Sequence, residues 1–181
     1  VGDCQHPGAV DTTATVAVVL GKRLVLAHVG DSRAYLLRSG RLVQLTEDQS
    51  LYNELLSSGA MEEEEAAEYE HSNVILQALG VSGFLAPYFA RVELRGGDQL
   101  LLCTDGLTGL VSDAEILEAL SEGEPGDVTE KTTALTKKAR AGGGYDNATV
   151  VLAAVEPDAE EDAEDAEDGS EDAAGEGETF E

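Results

Sequence analysis

A chain of 181 residues, 42% hydrophobic, is long enough for one domain with a real core. Its formal charge of −26 is uneven, because residues 156–181 hold 14 of the 37 acidic side chains and none of the 11 basic ones. Such a chain has no basic stripe for nucleic acid and no apolar run of membrane-spanning length, so neither partner is expected, and a soluble, cytoplasmic protein is.

Thr13 to Leu20 reads as a strand, Gly21-Lys22-Arg23 as a short turn, and Leu24 to Val29 as the returning strand. Arg33 to Arg38 is a third strand, and Ser39-Gly40 turns the chain into Arg41–Leu45, which together predict an antiparallel meander. Leu51 to Leu56 has helical spacing, and Met61 to Glu68 is a second helical stretch. Its Glu62–Glu65 run reads as a solvated helix face or an exposed flap. His71, in a polar segment, reads as exposed. Strands resume at Asn73–Leu76, Tyr88–Leu94 and Gln99–Thr104, the last two joined as a hairpin through Gly96-Gly97-Asp98. Cys103 lies inside the last of these and reads as a small buried hydrophobe. With Cys4 it makes no metal or disulfide pattern, which suits a reducing compartment.

Ser112-Asp-Ala-Glu115 is a capping box that opens a helix with Ile116, Leu117 and Leu120 turned inward. Asp127-Val-Thr-Glu130 resembles a second cap, for a helix running to about Arg140 and ended by Gly142-Gly143-Gly144. Asn147 to Val155 completes the strands. Strand runs with segregated helices predict an α+β domain over residues 1–155 built on packed antiparallel sheets. The 156–181 segment cannot bury enough apolar surface to offset its ordering entropy, and is expected to be a disordered acidic tail that serves solubility, protein binding or inhibition.

Three aspartates stand where apolar runs break into turns: Asp31 after Leu24–Gly30, Asp105 after Leu101–Thr104, and Asp146 before Asn147–Leu152. Aspartate is an ordinary turn residue, so each could be only that. Carboxylates delivered from separate strands to one sheet edge could equally form an oxygen-rich site for Mg²⁺ or Mn²⁺.

The segments Ala27-His-Val-Gly-Asp-Ser-Arg-Ala-Tyr-Leu-Leu-Arg38, Leu101-Leu-Cys-Thr-Asp-Gly-Leu107 and Asp146-Asn-Ala-Thr-Val150 resemble the metal-dependent, type-2C serine/threonine protein phosphatases. Thr12-Thr13, Gln44-Leu-Thr-Glu-Asp48, Ala78-Leu-Gly80 and Gly97-Asp98 follow in the family's order, so the resemblance covers residues 11 to 155. It implies a sandwich of two antiparallel β-sheets flanked by helices, with a metal cluster in the cleft. It further implies that Asp105 and Asp146 bind two catalytic Mg²⁺ or Mn²⁺ ions and that Asp31 serves a third, weaker position. Gly30, Thr104, Gly106 and Asn147 accompany them in the same motifs, and residues 49–73 correspond to a flap. The implied activity is hydrolysis of phosphoserine and phosphothreonine in proteins by a metal-activated water, with no side-chain nucleophile. Phosphorylated proteins are the implied partners, a Ser/Thr kinase or its substrates among them.

The resemblance also has departures. Family members carry, upstream of the position of Thr12-Thr13, a phosphate-gripping arginine and an Asp-Gly segment whose aspartate bridges the metals. Only Val1 to Asp11 precede that point here, and Gly2-Asp3 has the reverse order, so Asp3 is not given the bridging role. Asp11, Gln49 and Gln77 stand where glycine, histidine and arginine are common. The expectation is therefore an N-terminally incomplete phosphatase domain. The alternative is a catalytically impaired module, or fragment, that binds phosphoproteins without turnover.

Overall fold

The computed structural model describes residues 11–62, 74–80 and 84–157. The expectations placed on Asp3, Cys4, residues 63–65 of the acidic run, His71 and the tail beyond Pro157 lie outside those residues.

β1 (Ala14–Leu20) and β2 (Arg23–Val29) form a hairpin closed at Gly21-Lys22. β3 (Arg33–Arg38) and β4 (Arg41–Gln44) form another, in which Ser39 and Gly40 both have positive φ, 48° and 74°, as a type I′ turn requires. These hairpins do not continue one meander. β2 pairs onward with β5 (Tyr88–Glu93) in a sheet of order β1-β2-β5. β3 pairs with β6 (Gln99–Cys103), which pairs with β7 (Val150–Ala154), in a sheet of order β4-β3-β6-β7. All these pairings are antiparallel.

The chain thus changes sheets at Gly30–Ser32, between β4 and β5, and again at Arg95–Asp98, and the last change replaces the hairpin expected between β5 and β6. Asp98 explains that crossing. It is buried, and its carboxylate accepts the Arg95 amide (2.8 Å) and Arg38 Nε and Nη2 (2.8 and 2.6 Å). Arg38 Nη2 also donates to the Glu93 carbonyl, sewing β3 to the end of β5. Burial pushes the Asp98 carboxyl up, but Arg38 and the Arg95 amide outweigh it and hold it below the usual range.

β3 serves two cores because both of its faces are covered. Ala34 and Leu36 join Leu24, Leu26, Leu94 and Leu100 between the sheets. Tyr35 and Leu37 face the other way, with Leu101 and Cys103, against helical residues Leu107, Ile116, Leu120 and Leu135. Those come from α2 (Asp105–Thr108), α3 (Asp113–Ser121) and α4 (Val128–Ala141). α1 (Leu51–Ser57) follows β4 and is capped by Ser50. Among the described residues the outer face of the three-stranded sheet shows Val16, Val18, Leu20 and Phe89 to solvent. No helix among them is long and apolar enough to cross a membrane.

The capping box at Ser112 forms in both directions, Ser112 Oγ accepting from the Glu115 amide and Glu115 Oε2 from the Ser112 amide. Asp127 does not cap α4; its carboxylate accepts the Glu124 amide (2.9 Å) and braces the preceding loop instead. Lys131 is only 3% exposed, and its Nζ donates to Gln99 Oε1 (2.9 Å) and to the last-turn carbonyl of Leu120 (2.8 Å), tying α4, β6 and α3 together. Lys131→Met would remove both bonds and is expected to cost about 1–2 kcal/mol. A lower urea midpoint with unchanged slope would record it.

Candidate active site

Thr104 follows β6 and precedes Asp105, the first residue of α2. Rather than capping α2, its hydroxyl donates to the Asn147 carbonyl (3.1 Å) and accepts the Thr149 amide (2.9 Å), while its own amide donates to the Thr149 carbonyl (3.1 Å). These bonds occupy Asn147–Thr149, so β7 starts at Val150, three residues later than the sequence suggests. They also bring the loop carrying Asp146 against the end of β6. Gly106 permits the approach: a β-carbon there would sit 2.5 Å from the Asn147 carbonyl oxygen.

Each of these two aspartates has one oxygen fixed by backbone. Asp105 Oδ1 accepts the Gly106 amide (2.9 Å) and Asp146 Oδ1 accepts the Asn147 amide (2.6 Å). Asp31 arrives from the first crossing between sheets. There Gly30 adopts φ +112°, and a β-carbon would collide with the Thr13 side chain. The Gly30 carbonyl accepts from the Gln49 amide (2.8 Å) and from His28 Nε2 (2.9 Å), which leaves His28 Nδ1 to accept from the Thr15 hydroxyl (2.9 Å). Burial lowers the His28 pKa, with the Gly30 carbonyl opposing it, and favours this neutral form.

Asp31, Asp105 and Asp146 line one cavity of about 460 Å³, together with Arg33, Asp48, Ser50, Tyr52, Gly106 and Tyr145. Of the four accompanying residues, Gly106 is in the lining, whereas Gly30, Thr104 and Asn147 hold the aspartate-bearing loops through the bonds above. Burial, and then the charge of Asp105, raise the Asp31 carboxyl above its ordinary range. A second cavity, of about 330 Å³, lies between Val19, Leu94, Leu100 and Val155 and has no carboxylate in its lining.

The sequence reading did not give roles to Arg33 and Asp48. Arg33 Nε and Nη2 grip the Asp48 carboxylate (2.7 to 3.0 Å), Arg33 Nη1 donates to the Tyr35 hydroxyl (3.0 Å), and that hydroxyl donates to Asp113 Oδ1 (2.9 Å). Burial would lower the Arg33 pKa, but Asp48 and Tyr35 raise it beyond its ordinary value. The available signal was an arginine opening an otherwise apolar strand, which needs an anion close by.

The donors are hard carboxylate oxygens, which suit Mg²⁺ or Mn²⁺. Burial is the larger cause of the raised Asp31 pKa, and the like charge of Asp105, the second cause, is one that a divalent cation relieves. Among the described residues no three ligating side chains are already gathered tightly enough to hold an ion alone. The sign of the Asp31 shift gives a prediction. A raised folded-state pKa means that ionised Asp31 opposes folding above that pKa and ceases to do so as the pH falls through it. Asp31→Asn should therefore raise the urea midpoint at neutral pH in chelator, and adding Mn²⁺ should stabilise the parent chain more than the variant.

The family model described as Protein phosphatase 2C matches residues 3–55. Protein phosphatase PhpP of Streptococcus pneumoniae is 40% identical over 153 residues, which is 84% of this chain and 60% of PhpP. The crystal structure of the Mycobacterium tuberculosis serine/threonine phosphatase PstP/Ppp superposes with a TM-score of 0.74 at 43% identity, over 80% of this chain and 60% of that one. The PstP catalytic domain in complex with two manganese ions matches at a TM-score of 0.68 and 43% identity, over 78% of this chain and 57% of its own. Residues 3–55 thus match the metal-dependent protein phosphatase 2C family, and the chain has the two-sheet fold of these serine/threonine phosphatases. It spans about 60% of the length of these relatives.

Proposed function

We propose that the chain hydrolyses phosphoserine and phosphothreonine in proteins with the help of divalent cations. Asp105 and Asp146 would hold two catalytic Mn²⁺ or Mg²⁺ ions, and Asp31 a third, weaker one. The convergence of the three carboxylates on one cavity of a type-2C phosphatase fold carries the proposal. Ions bound there would acidify a water and offset the charge of the phosphoryl oxygens.

The chain's own residues prepare the site. The Gly106 and Asn147 amides each fix one oxygen of an aspartate, leaving its second oxygen to the cavity. Asp48 neutralises Arg33 at the cavity wall, so Arg33 offsets little of the negative field that draws cations in. Neither Ser50 nor Tyr52 needs to act as a nucleophile. Cys103 is no candidate, since burial pushes its thiol up to about 12. Residues 1–155 form the phosphatase domain on this reading, with 49–73 as its flap and 156–181 as an acidic tail, in a cytoplasmic protein acting on a Ser/Thr kinase or its substrates.

The test is release of inorganic phosphate from phosphothreonine and phosphoserine peptides with Mn²⁺ or Mg²⁺, beside calorimetric titration of the same ions. Metal-dependent release is expected. Metal uptake without release under any of these conditions would favour the binding module, and absence of both would overturn the proposal.

A further inference from the structure

Gln49 makes four hydrogen bonds to three separate stretches of chain. Its amide donates to the Gly30 carbonyl (2.8 Å), and its side-chain Oε1 accepts the Gly30 amide (2.9 Å), so both polar groups of Gly30 are held by one residue. Its Nε2 donates to the Ala86 carbonyl (2.8 Å), and its own carbonyl accepts the Leu76 amide (2.8 Å). The Ala86 amide in turn donates to Gln77 Oε1 (3.2 Å). Gln49 and Gln77 therefore hold the two backbone groups of Ala86 between them, and the bonds close a ring through Leu76 back to Gln49.

This ring is fastened to the residue immediately before Asp31. Gly30 sits at positive φ against Thr13, so its peptide has little freedom to move except with its partners. The Gln49 side chain holds the Gly30 amide, and with His28 on the Gly30 carbonyl it sets where the Asp31 turn sits. Gln49 itself is held by the 76–77 and 84–87 stretches, which lie beside the entry to β5 rather than in the metal cavity. Gln49 and Gln77 instead line a smaller cavity of about 200 Å³, which shares Asp48 and Ser50 with the first.

We infer that Gln49 is a positioning residue for Asp31, and that Gln77 acts on Asp31 through Gln49 by way of the Ala86 peptide. The inference rests on the metal-site reading above for its functional consequence and on the hydrogen-bond ring for its mechanics. Neither glutamine lines the cavity that holds the three aspartates. Their effect is on how well the weakest ion is held, and not on chemistry once every ion is in place.

The experiment uses Gln49→Met, Gln77→Met and the double variant in the full chain, methionine keeping the length of the side chain without its hydrogen bonds. Gln49→Met is expected to raise the Mn²⁺ concentration for half-maximal phosphate release by about tenfold, with kcat at saturating Mn²⁺ within about twofold of the parent. Gln77→Met should move the same quantity in the same direction, by less. The double variant should be no worse than Gln49→Met alone, because the second substitution cuts a ring already open. Multiplicative effects, or a fall in kcat with unchanged Mn²⁺ dependence, would overturn the inference.

Amide hydrogen exchange without metal supplies a readout independent of turnover. Both single variants should speed exchange in peptides covering residues 28–33 while leaving residues 99–103 of β6 unchanged. If the parent chain neither binds Mn²⁺ nor releases phosphate, the functional reading fails, and the exchange data still decide the ring. Unchanged exchange at 28–33 in Gln77→Met defeats it.

Discussion

Asp146→Asn is expected to lower Mn²⁺-dependent phosphate release by at least about 100-fold, since loss of even an outer-sphere metal partner costs up to that much. Asp105→Asn should do the same. The substitution separates chemistry from folding. An asparagine side-chain oxygen can still accept the Asn147 or Gly106 amide, the bonds that now orient Asp146 and Asp105, so the loops keep their anchors. What is lost is the charge, which supplies the attraction for a hard cation. Unfolding free energies from urea titration should stay within about 0.5 kcal/mol of the parent in chelator, as for ordinary surface changes. Asp31→Asn should instead raise the Mn²⁺ required and leave the rate at saturation largely intact. Parent-like rates in both the Asp105 and Asp146 variants would contradict the assigned roles.

Gly106→Ala should be strongly destabilising. Alanine favours helix by about 1 kcal/mol over glycine, and residue 106 lies in α2 with ordinary helical φ, so propensity alone predicts stabilisation. Sterics decide otherwise. The added carbon would lie 2.5 Å from the Asn147 carbonyl oxygen, 2.7 Å from its carbon and 3.0 Å from the Ala148 nitrogen, all of them backbone atoms that cannot rotate away. Overpacking of this kind costs about 3 kcal/mol, or forces the 146–149 loop off the end of β6. Either response parts Asp146 from Asp105, so the urea midpoint and the Mn²⁺ affinity should fall together. Gly126→Ala is the control, since a β-carbon there meets nothing within 4 Å, and it should move neither. A Gly106→Ala chain with parent stability would show that the loop does not pack as described.

Local chemistry was readable from residue order wherever a short pattern decides. The Ser39-Gly40 turn, the Ser112 capping box and the span of β3 stand where the sequence places them. Partnerships between distant segments were not. Nothing in Gly96-Gly97-Asp98 distinguishes a hairpin from a change of sheet; Arg38, sixty residues earlier, makes the difference by reaching Asp98. Asp127 has the spacing of a cap, yet a nearer amide at Glu124 takes its carboxylate. At the site, the three aspartates were visible as residues that end apolar runs, and the cavity does collect them. The Arg33–Asp48 grip and the glutamine ring were hidden, because each needs two stretches that only the folded chain brings side by side. Gln49 and Gln77, which read one at a time as tolerated departures from the family pattern, meet on a single peptide.

The strand order β4-β3-β6-β7 fixes when, during synthesis, the acidic cavity can first exist. The strand that presents Asp105 takes one neighbour from early in the described chain and the other from late in it. A nascent polypeptide halted at Gly144 would have Asp31 and Asp105 but neither Asp146 nor the seam that Val150–Ala154 sews onto β6. Folding intermediates of that length should accordingly bind Mn²⁺ more weakly than the finished chain, and a protease nick between Gly142 and Tyr145 should free the last carboxylate from its hinge while most of the sheet survives.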